Sequence, residues 1–351
     1  MSKLTTLIRP HLIELTPYAS ARDEYKGKEG IFLDANENPF SSVTGDAFNR
    51  YPDPHQQAIK EKLAQIKGVS PSQIFLGNGS DEAIDLLIKT FCEPKKENIV
   101  ILPPTYGMYK VCADIQQVDV LSAPLTPDFD LDLDQIKATV NENTKMIWIC
   151  SPNNPSGNLV NQDKIRLLLE SYPTKILVVD EAYIDFVPEK TWLKELDNFA
   201  NLVVLQTFSK AWGMAGLRMG VAYAHPEIIQ ILNKIKYPYS INVLTQKAVL
   251  EALNHEDKKK EMVAKLNNLR EELRRDLDQL SFVEHIYPSD SNQLLVRVEK
   301  PSEIFDYLIQ QKIIVRDRSK VMLCEGCLRI SIGSETENKA LIAQMKQWKD
   351  R

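Results

Sequence analysis

Short apolar runs alternate with longer amphipathic stretches through much of this chain. Runs that suit strands buried on both faces, each followed by small or polar residues, are 98–102, 145–150, 175–179, 202–205 and 219–224. Helical spacing is also present, as at 55–67, where Ile59, Leu63 and Ile66 fall on one face. This alternation predicts an α/β fold with a mostly parallel sheet covered by helices on both faces.

The pattern changes near residue 240. Long helices are predicted at 243–253 and about 258–280, a last helix at about 335–348, and short strands at 282–286, 293–298, 313–316 and 328–332. We interpret residues 241–351 as a smaller α+β domain that follows a large domain at 31–240. Residues 1–30 are expected to form an N-terminal arm packed against the smaller domain, and residues 31–33 a short strand.

A glycine-containing turn joins an apolar strand to a helix within residues 74–91. After Gly77–Gly79 comes Ser80, a good N-cap, and Asp81 and Glu82 fall in the first turn. The N–H groups at such a helix start favour a phosphate, although an ordinary capped helix explains this turn equally well when it is taken alone. The NAD fingerprint fails because Glu82 occupies the position of its third glycine, and a P-loop lysine is also missing. A phosphate bound here would belong to neither NAD nor ATP.

Composition excludes several classes of function. The chain has 351 residues with 43% hydrophobic and 26% charged residues, which is typical of a globular enzyme. A net charge of −5 without a basic patch argues against a nucleic-acid partner, and no apolar stretch approaches the roughly 20 residues that span a membrane. Neither a signal peptide nor a metal-ligand pattern stands out, and the five scattered cysteines are expected to be reduced, so we expect a cytoplasmic protein.

One lysine lies a few residues past the end of a predicted buried strand. Lys210 comes five residues after the run 202–205, in a loop that contains Gly213 and Gly216, and Arg218 lies eight positions further on. A lysine amine forms Schiff bases with carbonyl compounds, pyridoxal phosphate among them, and a nearby cation or desolvation keeps it reactive. For this lysine alone, an ordinary surface position is the favoured interpretation, so its predicted neighbours decide the question.

Other strands of the predicted sheet end in residues with a matching chemical purpose. Asn153 follows one strand, Asp180 and Tyr183 follow the next, and the carboxyl ends of such strands meet at one edge, where ligands bind. A buried carboxylate at Asp180 would keep the pyridoxal ring nitrogen protonated, and Asn153 and Tyr183 would donate to the ring oxygen. Ser80, Ser209 and Arg218 would bind its phosphate. Each residue has an ordinary alternative, such as a cap, a turn or a surface ion pair, but their combination favours a pyridoxal phosphate site.

Ten motifs span nearly the whole chain. They are LTPYASAR (15–22), DANENP (34–39), RYPDP (50–54), GNGSDE (77–82), PTYGMY (104–109), SPNNPSG (151–157), VVDEAYIDF (178–186), TFSKAWGMAGLRMG (207–220), IIVRDRS (313–319) and CLRISIG (327–333). On these motifs the chain resembles the fold-type-I pyridoxal phosphate enzymes of the aspartate aminotransferase type. Within them it is similar to the histidinol-phosphate aminotransferase family, which RYPDP, VRDRS and LRISIG favour most narrowly.

The resemblance implies a role for each candidate residue. Lys210 would be catalytic, holding pyridoxal 5′-phosphate covalently and moving a proton. The implied cofactor-binding residues are Gly79, Ser80, Asp81, Tyr106, Asn153, Asp180, Tyr183, Ser209, Lys210 and Arg218, with Tyr51 reaching the neighbouring site of a homodimer. The implied substrate-binding residues are Tyr18, Asn153, Arg316 and Arg329.

The implied reaction belongs to L-histidine biosynthesis. An amino group passes reversibly between histidinol phosphate and 2-oxoglutarate, giving imidazole-acetol phosphate and glutamate. Histidinol phosphate carries a phosphate ester where an amino acid carries its carboxylate, so one anion site must accept both groups, and two arginines suit that demand. The sequence leaves open which of Arg316 and Arg329 takes which group.

The sequence leaves two other functional interpretations open. An aromatic aminotransferase or a threonine-phosphate decarboxylase would share much of this site. From another class, aminotransferase-like sensing modules of transcription regulators bind the same cofactor behind a DNA-binding domain, and the short predicted arm disfavours that reading.

Overall fold

The computed structural model describes residues 4–18, 20 and 30–349. Within these residues, seven strands form a larger sheet and four form a smaller one. The larger sheet contains β1 (Ile74–Asn78), β2 (Asn98–Ile101), β3 (Asp119–Ser122), β4 (Thr144–Cys150), β5 (Ile176–Asp180), β6 (Leu202–Thr207) and β7 (Met219–Ala224). The smaller sheet contains β8 (Val283–Ile286), β9 (Gln293–Val298), β10 (Arg316–Asp317) and β11 (Cys327–Ser331).

The larger sheet is mostly parallel, which confirms the predicted fold class. Its strand order is β1-β7-β6-β5-β4-β2-β3, and neighbours from β3 through to β6 pair in parallel. Only β7 is antiparallel, to both β1 and β6. The smaller sheet, β10-β11-β9-β8, is antiparallel throughout.

Helices cover both faces of the larger sheet and one region around the smaller sheet. In the described residues they are α1 (Pro10–Glu14), α2 (Gln57–Lys67), α3 (Gly79–Phe91), α4 (Met108–Ile115), α5 (Leu133–Thr139), α6 (Gln162–Ser171), α7 (Pro226–Ile235), α8 (Val243–Ala252), α9 (Glu256–Asp278), α10 (Pro301–Gln310) and α11 (Glu335–Lys349). No helix in this part of the chain has the length and apolar character needed to cross a membrane.

The apolar runs of the sequence are explained by burial on both sheet faces. Along β5, Leu177 and Val179 belong to one hydrophobic cluster, whereas Ile176 and Val178 belong to another on the opposite face. Side chains of a strand alternate in direction, so a strand covered on both sides has no polar face. A third cluster lies between the smaller sheet and α9, α10 and α11.

Some local predictions are wrong. Residues 31–33 form no strand, since Ile31 and Leu33 are 91% and 87% exposed and no partner strand is present among the described residues. The strand predicted at 313–316 is reduced to Arg316–Asp317. Both β3 and α10 were not predicted, and β3 is an edge strand whose half-exposed side chains give no apolar run.

The N-terminal arm lies against the larger sheet rather than the smaller domain. Leu4, Ile8 and Leu12 are buried in the cluster that includes residues of α3 and α7, and Arg9 pairs with Glu93 at 3.0 Å. The expectation that the arm packs on the smaller domain is therefore wrong for its described residues. The rest of the predicted arm, 1–3, 19 and 21–29, lies outside the described residues. The limits proposed for the two domains remain predictions.

Candidate active site

A cavity of about 490 Å³ opens at the carboxyl ends of β4, β5 and β6. The N-terminus of α3 closes one end, and β10 and β11 close the other. The predicted site residues that line it are Gly79, Ser80, Asp81, Tyr106, Asp180, Tyr183, Ser209, Lys210, Arg218, Arg316 and Arg329. The fold therefore brings together residues that are as far as 250 positions apart, from Gly79 to Arg329.

Lys210 extends into this cavity from the turn that follows β6. Its Nζ lies 5.4 Å from the centroid of the Tyr183 ring and makes no hydrogen bond or ion pair to a described residue. Desolvation lowers the pKa of Lys210, and the nearby Arg329 guanidinium lowers it further. A lysine with these surroundings supplies a neutral amine more readily than a surface lysine does.

Asp180 is the last residue of β5, and its side chain is buried beneath the cavity. Burial raises the pKa of Asp180 to about 6, while hydrogen bonds from the Tyr109 hydroxyl at 2.6 Å and the Ala182 N–H at 3.1 Å oppose that rise. The carboxylate is thus ionised at neutral pH but uncompensated by a cation in direct contact. It is suited to receive a cationic ligand atom from the cavity.

Tyr109 is a residue that sequence reasoning missed. It is fully buried, its ring stacks on Trp148 with centroids 4.8 Å apart, and its hydroxyl donates to Asp180. Burial, together with the Asp180 charge, raises the pKa of Tyr109 well above its ordinary value, so the hydroxyl keeps its proton and remains a donor. Its only sequence signal is its place at the end of the PTYGMY motif.

Two glycines bring β7 against the start of α3. A Cβ added at Gly220 would lie 2.1 Å from both the Gly79 carbonyl carbon and the Ser80 nitrogen, so only glycine fits there. Gly79 has a φ of +71°, and its N–H donates to the Arg218 carbonyl. The first N–H groups of the helix are left without intrahelical partners and can bind an anion.

The Arg218 guanidinium lies beside this helix start. It contacts an Asp81 carboxylate oxygen at 3.3 Å and the Ser209 hydroxyl at 3.5 Å. The second Asp81 oxygen accepts a hydrogen bond from the Tyr106 hydroxyl at 3.0 Å. Because the Asp81 carboxylate would repel a phosphate, this residue suits anion binding through its backbone N–H and by orienting Arg218.

Arginines gather at the opposite end. Arg316 of β10 stands directly across from Arg329 of β11 in the antiparallel register, and Arg318 also lines the cavity. Burial lowers the pKa of Arg329, and the positive charges of Arg318 and Arg316 lower it further. Its Nη1 donates to Asn154 at 2.6 Å, whereas its buried Nε has no partner among the described residues. Arg318 was missed, although it belongs to the VRDRS motif.

Asn153 does not reach the cavity. It is buried, and its amide donates to the Pro104 carbonyl at 3.0 Å and to the Ser156 hydroxyl at 2.8 Å, bonds that shape the loop after β4. The adjacent Asn154 lines the cavity instead. The sequence offers two consecutive asparagines and no signal that distinguishes their side-chain directions.

Tyr51 and Tyr18 also lie outside this cavity. Tyr51 stacks on Tyr239 with centroids 4.4 Å apart, and both Tyr18 and Tyr51 border a separate surface pocket. Tyr18 is 76% exposed. The role predicted for Tyr51 needs a second chain, and both assignments remain predictions.

The described residues contain no group of three or more His, Cys, Asp or Glu side chains that could hold a metal ion. The five cysteines are buried and unpaired, Cys324 and Cys327 included.

Comparison with known proteins gives a family and near relatives. Residues 27–345 match the model of the family "Aminotransferase class I and II". The histidinol-phosphate aminotransferase of Cytophaga hutchinsonii is 54% identical over 98% of this chain and 99% of its own length, and that of Parabacteroides distasonis is 50% identical over 99% and 100%. The solved structure of histidinol-phosphate aminotransferase from Sinorhizobium meliloti, in complex with pyridoxal-5′-phosphate, superposes with a TM-score of 0.77 at 24% identity, over 85% of this chain and 84% of that one.

Proposed function

Because the chain belongs to the aminotransferase class I and II family, we propose that it is a pyridoxal phosphate-dependent histidinol-phosphate aminotransferase. It transfers an amino group reversibly between histidinol phosphate and 2-oxoglutarate, giving imidazole-acetol phosphate and glutamate, in the pathway to L-histidine. The observation that carries this proposal is one cavity in which a lysine amine, with no ion-pair partner among the described residues, and a buried carboxylate face a cluster of arginines. The names of relatives at 50% and 54% identity support the substrate.

The polar groups of the cavity fit pyridoxal phosphate. The start of α3, with Ser80, Ser209 and Arg218, forms a cradle for a phosphate, and the Lys210 amine, which extends into the cavity, is placed for an aldehyde. Asp180 suits the ring nitrogen, and Tyr183 suits the ring oxygen. When bound, this cofactor supplies an electron-withdrawing ring that acidifies the Cα–H of the amino substrate.

We assign the remaining cofactor contacts from the same geometry. Tyr106 lines the cavity beside Asp81 and is assigned to the ring face, as the resemblance implied. Asn154 replaces Asn153 in our assignment of the ring oxygen, since Asn154 lines the cavity and Asn153 does not. Arg329, which Asn154 orients, is assigned to the substrate anion.

The chain's own groups carry the proton chemistry. Asp180, with a pKa of about 6, is largely ionised at pH 7 and would stabilise a proton on the cofactor's ring nitrogen. Tyr109 and the Ala182 N–H hold this carboxylate in one orientation. The lowered pKa of Lys210 favours a neutral Nζ, which would take the proton from the substrate Cα as general base.

We further propose a homodimer, in which Tyr51 reaches the neighbouring subunit's site. Apolar side chains are exposed around this residue, among them Phe48, Tyr237 and Leu244 at 46%, 82% and 56%. Covering such a surface is a common reason for association. Light scattering should give about twice the chain mass of 40.0 kDa, and a monomer at assay concentration would contradict the proposal.

The free thiols also fit a cytoplasmic location, which cell fractionation can test.

The reaction is tested directly with purified protein, histidinol phosphate and 2-oxoglutarate. Glutamate should form, and Lys210→Ala should reduce the rate by at least about a thousandfold, because the base and the covalent attachment point are both lost. Borohydride reduction followed by peptide mass spectrometry should find the cofactor on the peptide that contains Lys210. Absence of glutamate, with CO2 released from threonine phosphate, would favour the decarboxylase instead, and preferred turnover of phenylalanine or tyrosine would favour an aromatic aminotransferase.

A further inference from the structure

Three arginines converge on one end of the cavity, one more than the resemblance assigned. Arg316 is the first residue of β10 and Arg318 follows that strand directly, so the two flank Asp317. Arg329 lies on the paired strand β11. None of the three forms an ion pair with a carboxylate of the described residues. The Asp317 carboxylate instead accepts hydrogen bonds from the Ser319 N–H at 2.8 Å and the Ser302 hydroxyl at 3.3 Å.

Arg318 and Arg329 are partly buried and Arg316 is exposed, and these guanidiniums, without a carboxylate partner among the described residues, repel one another unless an anion joins them. Burial lowers the pKa of Arg318, and the charge of Arg316 lowers it further, as expected for cations that repel one another in a partly desolvated place. The buried Nε of Arg329 also lacks a partner among the described residues. These observations indicate a binding site for an anion with more than one negative charge and several acceptor oxygens.

Glutamate and histidinol phosphate differ in the charge and in the number of oxygens of the anionic group that this site would bind. A carboxylate has one negative charge and two oxygens, so a single bidentate guanidinium satisfies it. A phosphate ester has three free oxygens and carries nearly two charges at neutral pH, since its second pKa is about 6. Its third oxygen and its additional charge can therefore engage a further arginine.

Arg318 has the freedom for that additional contact. The Arg329 guanidinium is tied to Asn154 through a 2.6 Å bond, which holds it close to the loop that follows β4. Among the described residues, the Arg318 side chain makes a single hydrogen bond, a long one of 3.3 Å to the carbonyl of the neighbouring Asp317. Most of its donors thus remain available on the cavity wall.

Building on the function proposed above, we propose that Arg318 is the specificity-determining residue for phosphate: it binds the phosphate of histidinol phosphate, while the glutamate carboxylate is held by Arg329 without it. One chain can thus accept both anions at a single site. The carboxylate uses part of the arginine cluster, and the phosphate uses all of it.

The experiment compares the two half-reactions in Arg318→Gln. Stopped-flow absorbance of the cofactor, titrated separately with each amino donor, should show the apparent Kd for histidinol phosphate raised about 10- to 100-fold, the range for a lost hydrogen bond to a charged group. The Kd for glutamate should change less than about threefold. Inorganic phosphate should lose potency as a competitive inhibitor in the same variant, and Arg318→Lys should recover part of the affinity because it keeps the charge.

Two further variants serve as references for Arg318→Gln. Arg329→Gln should weaken both substrates. Arg297→Gln is the matched control, because this half-buried arginine on β9 packs over the Tyr287 ring and does not line the cavity, and it should weaken neither. Equal losses for glutamate and histidinol phosphate in Arg318→Gln would overturn the proposal, and so would no loss for either. If the wild-type protein fails to turn over histidinol phosphate at all, the proposed function fails instead.

Discussion

Replacing Asp180 with asparagine should make the cofactor-free protein more stable while removing its activity. The Asp180 carboxyl is buried at the end of β5, and its pKa is raised from 3.8 to about 6. The folded state therefore binds the proton more tightly than the unfolded state does. Protonation of Asp180 therefore stabilises the folded state. This stabilisation is fully present below about pH 4 and is lost progressively as the pH rises through 6.

The size of the effect follows from that shift. A difference of about two pKa units corresponds to about 3 kcal/mol at neutral pH and above, at roughly 1.4 kcal/mol per unit. An asparagine carries no charge, and its amide can still accept from the Ala182 N–H and donate to the Tyr109 hydroxyl oxygen. The free energy of unfolding of the variant should thus exceed that of the wild type by about 3 kcal/mol at pH 8, and by only about half as much at pH 5.

Urea unfolding of both cofactor-free proteins between pH 5 and 8.5 measures this difference. Asp185→Asn provides a control of opposite sign. Burial raises the pKa of Asp185, but Lys67 at 3.4 Å and Lys259 at 3.0 Å overcome that effect and hold it below its ordinary value. This variant should lose stability at neutral pH, with a smaller loss in acid.

The outcome that would refute the reasoning is a pH-independent difference between Asp180→Asn and the wild type. It would mean that burial does not destabilise the charged carboxylate. The variant should also bind pyridoxal phosphate more weakly and lose nearly all turnover, because an amide cannot hold a proton on the ring nitrogen as a carboxylate does. A fully active variant would contradict the role assigned to Asp180.

Two other substitutions test the surroundings of the cavity. Tyr109→Phe removes the 2.6 Å hydrogen bond to Asp180, which should raise the pKa of Asp180 by about one unit and move the pH dependence of cofactor affinity upward by the same amount; an unchanged pH profile would contradict the assignment. Gly220→Ala places a Cβ 2.1 Å from backbone atoms at the start of α3 and should weaken cofactor binding at least about tenfold, measured by fluorescence titration. Gly216→Ala, with no atom within 4 Å of the added Cβ, should leave the affinity nearly unchanged.

Local patterns in the sequence determined most of the sheet. The runs at 145–150 and 175–179 correspond to β4 and β5 within a residue because strands covered on both faces must be apolar throughout. The turn at Gly79 was also predicted from local residues. Glycine suits the tight backbone turn there, and acidic residues are favoured in the first turn of the helix that follows. Lys210 and Asp180 were predicted together because parallel strands end at one edge.

Tertiary structure decided what depends on distant partners. Strand β7 is antiparallel to its neighbours, and its apolar run does not record that direction. Asn153 and Asn154 are the same residue type in adjacent positions, and only the loop's packing sends one under the sheet edge and the other into the cavity. Only the structure shows that Arg318 lines the cavity beside the other two arginines, and that the Tyr109 hydroxyl donates to Asp180. Burial and backbone conformation leave a local signal in the order of residues, whereas the direction of a side chain and the identity of its partner are set by contacts between segments far apart in the chain.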